Sequence, residues 1–166
     1  MRPPISPRIP LAWATLVLVL DQLSKWWVVN SFALHESLPV LPGFFNLTFI
    51  TNTGAAFGML AGEQGLGRQL FFGAVGLVAL AVLCFAFREY RQRGLLYVVA
   101  IGLVAGGALG NLVDRLRLGH VIDFLDVYYR QYHWPAFNVA DSAITIGVAL
   151  FILAGFRDHE RQGGKA

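Results

Sequence analysis

Four stretches of this chain run for close to twenty residues with almost no charge, and that property removes most of the folds open to 166 residues. A helix rises about 1.5 Å per residue, so about 20 apolar residues cross the hydrocarbon of a bilayer. Residues 9–29 carry two charges, Asp21 and Lys25, in their second half; residues 70–87 and 95–113 carry none. Residues 136–156 carry Asp141 within the first two turns, followed by 15 uncharged residues. We therefore expect one integral-membrane domain over 1–166, mainly α, with four transmembrane helices. Charged residues make up 14% of the chain, against about 25% in an ordinary soluble domain.

The 13 basic residues exceed the 10 acidic ones, but they sit at segment ends rather than along one face with aromatics, which argues against nucleic acid as a partner. They also set direction, because Lys and Arg in short flanks resist translocation. Arg2, Arg8, Arg88, Arg91, Arg93, Arg157, Arg161 and Lys165 fall on one side of the four stretches; Lys25, Arg68, Arg115, Arg117 and Arg130 fall on the other. Both termini are thus expected in the cytoplasm. A cleaved secretory leader ending near Ala33 is the competing reading of the N-terminus, and Asp21 and Lys25 inside the apolar run speak against it. The single cysteine, Cys84, lies in an apolar run and offers no disulfide partner.

Residues 30–69 hold Pro39, Pro42, several glycines and the alternating run Asn46-Leu47-Thr48-Phe49-Ile50-Thr51. Period-two alternation bounded by Pro and Gly predicts a small β-structured platform on the outer side. Residues 114–135 mix Phe124, Tyr128, Tyr129, Tyr132 and Trp134 with charges, and read as an outer loop at the membrane interface, where such aromatics concentrate. Gly102, Gly106 and Gly110, with Gly107 beside them, predict close helix contacts along the third stretch.

A charge near hydrocarbon costs roughly 2.5 to 3.5 kcal/mol at a helix centre, so each polar residue there needs a reason. Asp21 and Lys25 are four apart and share a helix face, which allows an ion pair. Asn52 precedes Gly54 in a run of small residues that lets backbone and ligand approach closely, although an ordinary turn also fits. Asn111 and Arg115 share a face at the end of the third stretch; Asp114 and Arg115 there also fit a simple water boundary. Asp123 and Asp141 are the sharper case. The third stretch exits and the fourth enters on the same side, so the two carboxylates reach similar depth. Two carboxylates in one low-dielectric site do not both ionise cheaply; one holds a proton while the other stays charged. That supplies a base to activate water and an acid for the carbonyl oxygen or the departing amine. Ion or proton binding, as in a small cation or proton carrier, and plain structural contacts remain alternatives on spacing alone. No HExxH run, paired-cysteine site or glycine-rich phosphate loop occurs, and adjacent Ser24 and Lys25 point about 100° apart on a helix.

Five runs, in order along the chain, carry a resemblance: DQLSK at 21–25, NTGAAFG at 52–58, GGALGNLVDR at 106–115, GHVIDF at 119–124 and PAFNVADSAI at 135–144. With them the chain resembles the lipoprotein signal peptidases, or signal peptidases II, of bacterial inner membranes. The resemblance implies an aspartic endopeptidase that removes the signal peptide of a prolipoprotein just before its diacylglyceryl-modified cysteine, at the outer face of the membrane. It places Asp123 and Asp141 as the catalytic pair. Asp21, Lys25, Asn52, Gly54, Asn111, Arg115, Asn138 and Ala140 fall on its other characteristic positions. It implies no metal or organic cofactor, lipidated substrate and membrane lipid as partners, and a monomer.

Overall fold

The computed structural model describes residues 3–54 and 66–163 of the chain. In chain order the elements are α1 (Arg8–Ser31), β1 (Ser37–Leu41), β2 (Phe45–Asn52), α2 (Leu66–Tyr90), α3 (Leu95–Leu118), β3 (Val121–Tyr129), β4 (Tyr132–His133) and α4 (Val139–Gly163). Over Leu70–Tyr90, Leu95–Leu118 and Val139–His159, α2, α3 and α4 are long and apolar enough to cross a membrane. The remaining helix, α1, has 24 residues like α3, a length of about 36 Å. Of the expectations above, Arg2, Lys165 and the 55–65 part of the outer segment lie outside the described residues.

Small residues decide which helix is central. A methyl group added at Gly102 would lie 2.7 Å from the carbonyl oxygen of Pro10, and one at Gly106 would lie 2.6 Å from that of Ala14. Gly107 faces the other way, onto Ala140 and Ile144. These absent side chains let α1 and α4 press onto opposite sides of α3 at backbone distance. Leu11, Leu20, Leu77, Phe85, Leu153 and Phe156 are exposed, large apolar side chains that suit hydrocarbon and not water.

The strands form one antiparallel sheet in the order β1-β2-β3-β4. It sits on the end of the bundle where α1 finishes and α4 begins: Val28 packs with Ile122 and Phe124, and Phe32, Leu47, Phe49 and Val139 surround them. The sequence reading of 114–135 as a loop is corrected here. Helix α3 continues to Leu118 and stops at Gly119, whose φ of 78° is the left-handed ending that glycine takes without strain. Residues 121–127 then pair with β2, and Tyr128 and Tyr129 pair with β4. Val121 through Phe124 are all buried, so the alternation that marks a half-exposed strand is missing from them.

Candidate active site

Asp123 stands on β3 opposite Ile50 of β2, and Asp141 stands in the first turn of α4. The chain between them is tied down where Phe137 exchanges hydrogen bonds with Leu125 (2.8 and 3.1 Å). Asn138 then starts α4 with a reciprocal cap. Its Oδ1 accepts from the Asp141 N–H (2.9 Å), and Asp141 Oδ2 accepts from the Asn138 N–H (3.3 Å). This is the capping-box arrangement built with Asn and Asp.

The other end of the Asn138 side chain reaches the second carboxylate. Asn138 Nδ2 donates to Asp123 Oδ1 at 2.7 Å, and Asn52 Nδ2 donates to Asp123 Oδ2 at 3.1 Å. Asn111 Nδ2 donates to Asp141 Oδ1 at 2.8 Å. Each aspartate is therefore fixed by one amide per oxygen or by an amide and a backbone N–H, and Asn138 touches both residues.

Beneath them lies a buried ion cluster. Lys25 Nζ is 2.8 Å from Asp21 Oδ2 and 2.8 Å from Asp114 Oδ2, and donates to Asn111 Oδ1 at 3.1 Å. Asp21 Oδ1 accepts the Ala140 N–H (2.9 Å), one of the free donors at the start of α4. Gln22 Nε2 donates to Asp114 Oδ1 at 2.9 Å. Arg115 donates to the carbonyls of Gly54 (3.3 Å) and Asn111 (3.4 Å), with its guanidinium over the Phe72 ring.

A cleft of about 840 Å³ opens beside this network. Asn52, Asn111, Arg115, Asp123 and Asp141 supply its polar wall, and Ile50, Val121, Phe137, Ile144 and Ile146 much of the rest. Asp123 is only 2% exposed. Burial, and after it the negative charge of Asp141, pushes its carboxyl up to about 7, against the pull of the Asn52 and Asn138 hydrogen bonds and of Lys25. Near neutral pH this carboxyl therefore exchanges a proton readily. Among the described residues no group of three His, Cys, Asp or Glu side chains is placed to hold a metal ion.

A family model described as signal peptidase (SPase) II matches residues 13–157. The chain belongs to the signal peptidase II family. A lipoprotein signal peptidase of Syntrophus aciditrophicus is 55% identical over 143 residues, 86% of this chain and 89% of that relative. One from Geobacter metallireducens is 51% identical over 87% of this chain and 88% of its own length. A bacterial membrane enzyme solved by the in meso method at 2.3 Å resolution superposes with a TM-score of 0.86 at 35% identity, covering 97% of this chain and 95% of its own. A second, at 1.9 Å, gives 0.81 at 35% identity over 95% and 99%. With three helices long and apolar enough to cross a membrane, the chain is accordingly a membrane protein of a protease family.

All ten residues singled out in its sequence lie in one hydrogen-bonded network. Two members of that network escaped the sequence reading. Asp114 was read as a marker of the water boundary, yet it is 3% exposed and pairs with Lys25. Gln22 drew no attention, because a single amide beside a charged pair carries no signal of its own.

Proposed function

We propose that this chain is an aspartic endopeptidase that cuts diacylglyceryl-modified prolipoproteins immediately before the lipidated cysteine. The observation that carries this reading is the pair of carboxylates on one cleft, with Asp123 buried beside Asp141 so that its carboxyl is raised to about 7. With one proton between the two, the charged carboxylate takes a proton from water as it attacks the scissile carbonyl. The protonated partner hydrogen-bonds the carbonyl oxygen and then supplies a proton to the departing amine. The apparent pKa values belong to the pair. Asn52, Asn111 and Asn138 hold both carboxyl groups in place at each stage. The mechanism needs no metal or cofactor.

Four crossings, with α1 as the first, put both termini in the cytoplasm and the sheet with its cleft on the periplasmic side of the inner membrane. The basic flanks support that direction. A substrate whose acyl chains remain in the same bilayer arrives oriented, which lowers the entropic barrier to positioning the peptide bond. One copy contains both carboxylates, so a monomer suffices. Lys25 is already engaged by two carboxylates and an amide, an arrangement that suits a fixed scaffold better than a moving ion.

The test is cleavage in detergent of a purified diacylglyceryl-modified prolipoprotein by the wild type, Asp123→Asn and Asp141→Asn. Loss of cleavage in both folded variants, with substrate still bound, is the expected result. Full activity in either variant removes the dyad, and failure of the wild type on a substrate processed by a relative removes the peptidase reading.

A further inference from the structure

We infer that Asp114 is a positioning residue for the peptidase reaction, a side chain that touches neither catalytic carboxylate yet helps to set the placement of both through one oxygen. The inference rests on the dyad reading above. It follows from where the hydrogen bonds of a single buried carboxylate go.

One arm leads to Asp141. Asp114 Oδ2 and Asp21 Oδ2 each sit 2.8 Å from Lys25 Nζ, which leaves the third direction of the ammonium for Asn111 Oδ1 at 3.1 Å. An amide has one oxygen and one NH₂ end, so committing the Asn111 oxygen to Lys25 commits its Nδ2 to Asp141 Oδ1 at 2.8 Å. The same Asn111 oxygen accepts from Asn138 Nδ2 at 3.2 Å. Without Asp114, the ammonium loses the second anchor that holds it under Asn111.

The other arm leads to Asp123. Asp114 Oδ2 also accepts the N–H of Ile122, the residue just before Asp123, at 3.3 Å. The Ile122 carbonyl in turn accepts from Asn138 Nδ2 at 3.2 Å. Helix α3 thereby grips the start of β3 through a side chain rather than through the sheet. Gln22 Nε2, at 2.9 Å from Oδ1, locks the carboxylate's rotation so that Oδ2 serves both arms. Asp114 touches neither the cleft nor the scissile bond; it is absent from the cleft wall. It acts through Lys25 and Asn111 and through the backbone of Ile122, the residue before Asp123.

Asp114→Asn is the informative change. It is nearly isosteric, and its Oδ1 can still face Lys25 and the Ile122 N–H if Gln22 turns its own amide over. What it removes is a negative charge. The charged groups around the dyad are Asp21 and Lys25 on α1, Asp114 and Arg115 on α3, Asp123 on β3 and Asp141 on α4. Removing one negative member lowers the pH at which the dyad gives up its shared proton.

The experiment compares wild type, Asp114→Asn and Gln22→Met in detergent, following cleavage of the lipidated prolipoprotein against pH, with thermal unfolding as the control for folding. The expected result for Asp114→Asn is a kcat lower by roughly 10- to 100-fold, as for a small misplacement of reacting groups. KM should stay near wild type, and the alkaline limb of the pH profile should move to lower pH. A merely structural role predicts a smaller folded fraction with kcat per folded molecule unchanged, and that outcome overturns the inference, as does a kcat within twofold of wild type. If Asp114→Asn does not fold, Gln22→Met decides: it keeps the charge but frees the carboxylate's rotation. A lowered kcat at unchanged KM supports the inference, and unchanged kcat overturns it. Inactive Asp123→Asn and Asp141→Asn alongside a normal Asp114→Asn sink this inference alone; active dyad variants sink the reading beneath it.

Discussion

The two ends of the helix bundle handle charge in opposite ways. Under the sheet, Asp21, Lys25 and Asp114 are taken almost wholly out of solvent, and every one of their polar contacts is specific. At the far end, between α2 and α3, Arg93 pairs with Glu89 at the same 2.8 Å, but the two side chains are 48% and 64% exposed. Distance is equal and environment is not. A buried ion pair is a weak source of net stability because desolvation offsets attraction, yet breaking it leaves an uncompensated charge. An exposed pair is screened and contributes little either way. The first kind therefore dictates geometry, and the second decorates a surface.

The largest expected effect is on chemistry. Asp141→Asn should lower the cleavage rate by on the order of 10³-fold or more while the protein stays folded, measured by signal-peptide release from the lipidated substrate. Retained activity would remove the functional half of the contrast. Next comes Lys25→Met, which strands two buried carboxylates and should destabilise the fold by about 3 to 5 kcal/mol, read from unfolding in mixed micelles.

The third effect concerns pH. The Asp123 carboxyl is raised in the folded protein from an ordinary 3.8 to about 7, so the folded state binds the proton more tightly. The stability this contributes is complete below about pH 4 and is lost as pH rises through about 7. Between pH 5 and 8 the wild type should lose roughly 2 kcal/mol relative to Asp123→Asn, checked by paired unfolding curves at both pH values. Parallel curves would mean that Asp123 is not the proton carrier.

Packing shows the same asymmetry. Gly106→Ala drives a methyl into the Ala14 carbonyl, whereas the methyl of Gly155→Ala, at the far end, meets nothing within 4 Å. The first should cost about 1 to 3 kcal/mol, and the second should leave unfolding unchanged; equal behaviour would deny α3 its central place. Smallest of all, Arg93→Gln should produce no measurable shift in unfolding temperature.

The contrast also explains what the sequence made visible. Helices were legible because lipid demands long uncharged runs, and Gly102, Gly106 and Gly110 were legible because their spacing has few other uses. Strands β1 and β2 showed through the alternation around Asn46–Thr51. Strand β3 did not, because burial on both faces erases alternation and its aromatics look like interface residues. Asp123 and Asp141 stood out as acids beside hydrocarbon, and the five motifs supplied their companions. Asp114 was hidden because its partners, Gln22, Lys25 and Ile122, come from elsewhere in the chain, and nothing local distinguishes a buried acid from one facing water.

The reciprocal cap at Asn138 has a consequence for assembly. The hydrogen bonds that begin α4 are the same ones that aim Asp141, and Asp123 is aimed by the same amide. Without α4 formed and docked on α1 and α3, Asp141 lacks the cap that aims it, and Asp123 keeps only the Asn52 amide of its two. The arrangement of the two carboxylates is therefore complete only in a chain whose last helix is in place.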